Sequence, residues 1–203
     1  MTFDLATLDF AKAGGVVTVV TVDHLSGRVL MVARADRDAM ERTLASGEMH
    51  YTSRTRGLWR KGATSGNVQR VVRLSRDCDG DAVLAHVVPA GPACHDGTVS
   101  CFRDVGSGVF DRLDGTIRER ANGTPAETSY TRRLLDDSNL RLKKIGEEAA
   151  ELVHALAVQD RQRSIEEAAD LLYHSLVALH ALGAGLSDVQ AALATREDLS
   201  PEG

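Results

Sequence analysis

The run Asp77-Cys78-Asp79-Gly80-Asp81, read with Cys94 and Cys101 downstream, concentrates the side chains best able to do chemistry. In an extended or turn segment side chains alternate, so Asp77, Asp79 and Asp81 can converge on one side while Cys78 points to the other. Carboxylates are hard oxygen ligands suited to Mg²⁺, and a thiolate is a soft ligand suited to Zn²⁺. A zinc site of Cys78, Cys94 and Cys101 beside a magnesium site on the three aspartates is the expectation. A calcium loop is excluded, because its sixth and twelfth positions require Gly and Glu and hold Ala82 and Val88. The cysteines also lack the C-x-x-C pairing of a structural zinc finger. By spacing alone, three buried thiols and a ligand set are equally open readings. Turn residues around Cys94 and Cys101 favour presentation over packing.

A second chemical element lies in the other half. Between Leu140 and Gln159 the spacing predicts a helix with an apolar stripe of Leu142, Ile145, Ala149, Leu152, Val153 and Leu156, beside which Glu147, Glu148 and Glu151 cluster. The next helix carries Glu167, Asp170 and His174 on one face. Its expected start is a capping box of Ser164 and Glu167, and its expected core face is Ile165, Ala168, Ala169, Leu172, Leu176 and Leu179. Two antiparallel helices joined at residues 160–163 would bring these acidic faces together, and like charges so spaced repel unless a cation or basic partner offsets them. A solvated helix surface is the simpler reading of such glutamates, and for Glu167 capping and ligation compete for one side chain.

Basic residues form a third group. Arg54, Arg56, Arg60 and Lys61 flank a turn at Gly57 and precede the polar run Thr64, Ser65, Gly66 and Asn67, a combination suited to phosphate. The alternative is a solvated hairpin end. Lys143 and Lys144 stand just before the glutamates, where they meet substrate phosphates or balance the cluster.

The elements that position these groups fall into two parts. Val16 to Val22 reads as a strand, then a turn, a second strand over 28–33, and a helix capped by Asp36 that Gly47 ends. Strands follow at 49–54, 58–60, 68–74 and 82–88. The composition breaks near residues 104–108, after which the period becomes helical: Phe110, Leu113 and Ile117, then a loop over 121–127, then Tyr130, Leu134 and Leu135. A last helix runs from about Ser187 to Arg196. This predicts two domains, a mostly β (α+β) one over 1–104 and an all-α one over 109–203, joined by a linker at 105–108.

With 203 residues, 43% of them hydrophobic, the chain can bury a core in each part. No stretch resembles a signal peptide or approaches the length of a membrane span, and three cysteines fit a reducing cytoplasm rather than a disulfide framework. A net charge of −5 without a basic block argues against nucleic acid as partner.

Trp59-Arg60-Lys61-Gly62-Ala63-Thr64-Ser65-Gly66-Asn67, the Asp77 to Asp81 run, Gly91-Pro92-Ala93-Cys94-His95 and Ser100-Cys101-Phe102 closely resemble phosphoribosyl-AMP cyclohydrolase of histidine biosynthesis. Arg34-Ala35-Asp36 and Ala63 depart from that family's usual Tyr-Met-Asn and Glu. Ser129-Tyr130-Thr131, the run from Lys143 to Glu151 and the run from Glu167 to His174 resemble phosphoribosyl-ATP pyrophosphohydrolase, an all-α MazG-like family. Together these resemblances imply a fused hydrolase with phosphoribosyl-ATP and phosphoribosyl-AMP as substrates and Zn²⁺ and Mg²⁺ as cofactors. Zinc would activate a water for attack on the adenine ring, with His95 or His50 transferring the proton. A homodimer whose zinc sites draw cysteines from both chains is implied as well. The alternative is a general nucleotide pyrophosphatase attached to a zinc-stabilised binding domain.

Overall fold

In the computed structural model, which describes residues 3–12, 14–53, 55–103, 108–123 and 129–197, the chain divides into two compact units, Met1–Ser107 and Gly108–Gly203. Apart from Gly108, the expected linker falls outside the described residues.

The first unit is a curled mixed sheet with one α-helix. Strands β1 (Val16–Asp23) and β2 (Val29–Asp36) pair antiparallel, and β1 pairs parallel with β6 (Ala82–Pro89). With β3 (His50–Ser53), β4 (Gly57–Arg60) and β5 (Gln69–Arg76) the order is β4-β3-β2-β1-β6-β5. Curling brings the two edges together at Met49, whose N–H donates to Gln69 O and whose carbonyl accepts from Lys61 N, 2.9 Å each. That closure matters for function, because it sets Lys61 and the loop after it beside the far end of the sheet.

The β-branched run of β1 alternates as a half-buried strand should: Val17 and Val19 are fully buried, and Thr18 between them is exposed. Val83, Ala85 and Val87 of β6 continue the same core. Helix α1 (Arg37–Ser46) starts where Asp36 accepts a hydrogen bond from Ala39 N and stops at Gly47, whose φ of 71° closes the last turn. It packs Ala39 and Met40 on the sheet. A buried polar chain, Thr21 to Tyr51 to Gln69 at 2.7 Å each, crosses the interior. The second strand begins and ends later than expected, because its antiparallel partner extends to Val16 opposite Asp36.

The second unit is all helix: α2 (Val109–Asn122), α3 (Tyr130–Asp136), α4 (Ser138–Ala157), α5 (Arg161–His180) and α6 (Leu186–Glu197). Its buried centre is Ile117, Leu134, Leu176 and Val177. Two expectations fail here. Helix α5 is capped by Asp160, whose side chain accepts from Arg163 N, so Ser164 lies inside the helix and donates to Asp160 O. An aspartate four residues earlier wins because its short carboxylate reaches the first free N–H groups. The second failure concerns the apolar stripe. Leu142, Val153 and Leu156 of α4, with Ile165 and Leu172 of α5, are about half exposed or more, while Glu148 and Glu167 are buried. Within one chain the carboxylates face inward between the helices. No helix among the described residues is long and apolar enough to cross a membrane.

Candidate active sites

In the first unit the loop after β4 and the loop after β6 face each other across a cavity of about 740 Å³. Arg56, Trp59, Arg60, Lys61 and the Gly62–Asn67 turn line one wall; Ala93, Cys94, His95, Gly97 and Cys101 line the other. The first wall folds tightly because Gly62, at φ +80°, lets the chain turn so that Gly66 N bonds Gly62 O at 2.9 Å. A Cβ on Gly62 would stand 2.4 Å from the carbonyl carbon of Asn67.

The second wall is a short hairpin in which Cys94 N bonds Thr98 O. Asp96 fixes it by accepting from the Thr98 hydroxyl (2.6 Å) and Thr98 N (3.0 Å), contacts that hold its carboxyl well below the usual range. Cys101 N and the Ser100 hydroxyl tie the hairpin to β2 through Leu30 O and Val29 O. Burial, then the hydrogen bond its thiol donates to Cys94, pushes the Cys101 thiol up. Burial lowers the Lys61 ammonium, and the two cysteines oppose that shift.

Two of the three expected zinc ligands are thus brought together, with His95 Nδ1 3.8 Å from Cys94 Sγ. Cys78 is exposed in the β5–β6 turn and does not join them within one chain. Of the expected phosphate group, Lys61, Thr64, Ser65, Asn67 and Arg56 line the cavity, Arg60 does so while paired with Glu48 at 2.9 Å, and Arg54 falls outside the described residues. His50 is not in the lining; its Nδ1 lies 2.9 Å from Glu48 O.

Asp77, Asp79 and Asp81 bring their carboxylates within 4.8 Å of one another, as the alternation argument requires. Lys12 pairs with Asp79 and, at 2.7 Å, with Asp81. Nothing near the aspartates in sequence pointed to Lys12, because the contact is made by chain folding alone.

In the second unit Glu148, Glu151 and Glu167 converge within 4.8 Å, two of them buried. Burial raises the Glu167 carboxyl, and Arg163 opposes the rise from 2.6 Å. Arg163 also reaches Glu151 at 2.7 Å. Its spacing to Glu167 is an i,i+4 pair, a signal masked by placing residue 163 in a loop. Lys144 bonds Glu148 at 3.0 Å and Glu147 at 3.2 Å, and Lys143 pairs with Glu147. Glu147 and the exposed Asp170 stand outside the trio.

Two buried carboxylates beside a third oppose one another unless cations neutralise them. Both acidic clusters therefore have the donor type and convergence that a hard divalent cation requires, and the paired thiols of Cys94 and Cys101 have the softness for zinc.

Comparison with known families covers both units. Residues 31–103 match the phosphoribosyl-AMP cyclohydrolase family, and residues 110–197 match phosphoribosyl-ATP pyrophosphohydrolase. The protein from Deinococcus radiodurans called "Histidine biosynthesis bifunctional protein HisIE" is 47% identical over 97% of this chain and 95% of its own length. Proteins of the same name from Shewanella oneidensis and Escherichia coli K12 are each 41% identical, over 95% and 90% of this chain and 92% and 91% of theirs. A general pyrophosphatase with an attached binding domain does not account for the match over 31–103. With both halves matched in this order and relatives aligned along nearly their full length, the chain belongs to the bifunctional HisIE family of histidine biosynthesis.

Proposed function

We propose that this chain performs two consecutive hydrolyses: residues 109–203 convert phosphoribosyl-ATP to phosphoribosyl-AMP and pyrophosphate, and residues 1–104 open the adenine ring of that product, with 105–108 as linker. The observation that carries this reading is the cavity in which the Trp59–Asn67 run meets Cys94, His95 and Cys101.

In the ring-opening site Cys94 and Cys101 would hold zinc with Cys78 of a second copy, and Asp77, Asp79 and Asp81 would hold Mg²⁺ once Lys12 withdraws. Zinc, when bound, supplies a water whose pKa falls from 15.7 to about 7. Lys61, Arg56, Thr64, Ser65 and Asn67 seat the substrate phosphate, and the guanidinium of Arg60 is released to it when Glu48 lets go. His95, beside the thiols, takes the proton from the attacking water and returns it to ring nitrogen N1. A C6–O bond forms, and N1–C6 breaks as the remaining hydroxyl proton passes to the exocyclic nitrogen on C6, giving the formimino-aminoimidazole carboxamide ribotide. His50 is the second candidate for that proton and would have to turn from Glu48 O to act.

In the pyrophosphohydrolase site Glu148, Glu151 and Glu167, joined by Glu147 and Asp170, would hold Mg²⁺, whose charge when bound would offset that of the triphosphate and polarise water. Lys143 and Lys144 turn from Glu147 and Glu148 to the departing phosphates. Burial of Glu148 and Glu167 keeps water away from the carboxylates, so their charge would act on a bound cation with little screening.

The functional form is a homodimer in the cytoplasm. Two observations support the dimer: the separation of Cys78 from the other thiols, and the exposed Leu142, Val153, Leu156, Ile165 and Leu172. Three free thiols suit a reducing compartment.

The test is to give zinc- and magnesium-loaded protein phosphoribosyl-ATP and follow pyrophosphate release and ring opening together. Wild type should show both, and Cys94→Ala should lose zinc and ring opening while keeping pyrophosphate release. Pyrophosphate release without ring opening in wild type would overturn the first assignment; neither reaction would overturn both.

A further inference from the structure

Next to the glutamate trio lies a group of three rings that the chemistry above does not use. Tyr130, the first residue of α3, and Tyr173 of α5 are stacked, with centroids 6.4 Å apart and planes 21° apart. His174 stands edge-on to both, at 5.9 and 5.1 Å. The buried His174 ring connects this group to the metal site, since its Nε2 lies 3.8 Å from Glu148 Oε1. Its Nδ1 is buried and has no hydrogen-bond partner among the described residues.

The ring group is built rigidly. The Tyr173 hydroxyl bonds Thr131 Oγ1 at 2.8 Å, and that oxygen accepts from Arg120 at 2.9 Å while Thr131 itself is wholly buried. Tyr173 is therefore held by α2 and α3 at once. Tyr130 rests on it and remains 44% exposed. A flat ring backed by a fixed ring is a stacking platform, and one histidine separates it from the carboxylates. A nucleotide spans such an interval: the base lies on the ring and the phosphates reach the metal ligands.

We infer that Tyr130 is the seat of the purine ring of phosphoribosyl-ATP in the pyrophosphohydrolase unit, stacked over the Tyr173–His174 pair with the triphosphate directed to Glu148, Glu151 and Glu167. This rests on the function proposed above. Stacking on a π-face contributes to binding whatever the identity of the base, so the platform sets affinity for a nucleotide over a bare polyphosphate and leaves the hydrolytic step to the metal.

The experiment compares Tyr130→Phe with Tyr130→Leu, which keeps apolar volume without the π-face. The Leu variant should raise KM for phosphoribosyl-ATP about tenfold with kcat little changed, and Phe should match wild type. As competitors, ATP should weaken by a similar factor against the Leu variant while inorganic tripolyphosphate keeps its wild-type inhibition constant. Equal KM for Leu and Phe, or parallel weakening of ATP and tripolyphosphate, overturns the platform. Wild-type protein that releases no pyrophosphate from phosphoribosyl-ATP overturns the underlying function instead, so the two failures are distinct.

Discussion

Replacing Gly62 by Ala should damage the ring-opening site and leave the other site working. The φ of +80° places residue 62 in the left-handed region, where a Cβ costs about 1–2 kcal/mol. The new methyl would also stand 2.4 Å from the Asn67 carbonyl carbon and 2.4 Å from Val68 N, against about 3.5–4.0 Å for a comfortable carbon contact. Both neighbours are backbone, so no side chain can swing aside; the turn must open by roughly 1 Å. Forced repacking of that kind costs about 1–3 kcal/mol, which with the φ penalty makes about 2–5 kcal/mol. The turn carries Thr64, Ser65 and Asn67, so the strain is relieved at the expense of the proposed phosphate seat. Calorimetry on the full chain should show the first unit melting earlier, with a raised KM for phosphoribosyl-AMP and unaltered pyrophosphate release from phosphoribosyl-ATP. An unchanged melt with an unchanged KM would refute the close-packing argument.

Leu134 is fully buried in the small helical core, so Leu134→Ala should cost about 2–5 kcal/mol and lower the melting temperature of the second unit, read by circular dichroism. His86 has its pKa lowered by burial, then by Arg73 and His24. The unfolded chain therefore binds the proton more readily; this contribution is present above about pH 6.5, where the unfolded group titrates, and is lost as pH falls through the lower folded value. Melts of the first unit between pH 8 and 5 should show that loss, and His86→Gln should flatten it. Arg163→Gln removes the cation shared by Glu151 and Glu167, so titration calorimetry should find Mn²⁺ bound severalfold more tightly to the second unit; unchanged or weaker binding would contradict competition.

The elements that were legible in the sequence are those set by neighbouring residues. Asp36 and Gly47 bracket α1 because capping is local, and the aspartate triplet converges because alternation is local. Boundaries moved where a partner decided them, as at β2, or where two caps competed, as at Asp160 and Ser164. Lys12 was invisible because 67 residues separate it from Asp79. The stripe on α4 was misread for a different reason: periodicity locates an apolar face but does not say whether the same chain covers it. The inward-facing helix surface instead carries Glu148, which charge alone would have placed outside.

The pairing of each acidic cluster with basic groups of its own chain bears on the order of events in the protein's life. In a zinc finger the metal creates the fold, and a chelator dissolves it. Here Lys12 answers Asp79 and Asp81, while Arg163 and Lys144 answer the glutamates, so part of each cluster's charge is offset by the chain itself. If the clusters take a divalent cation as proposed, a newly made chain would fold without it and load later, and a departing ion would be replaced by a tethered charge that cannot diffuse away. On that reading folding and loading are separate steps, and metal supply would set turnover without governing the lifetime of the fold.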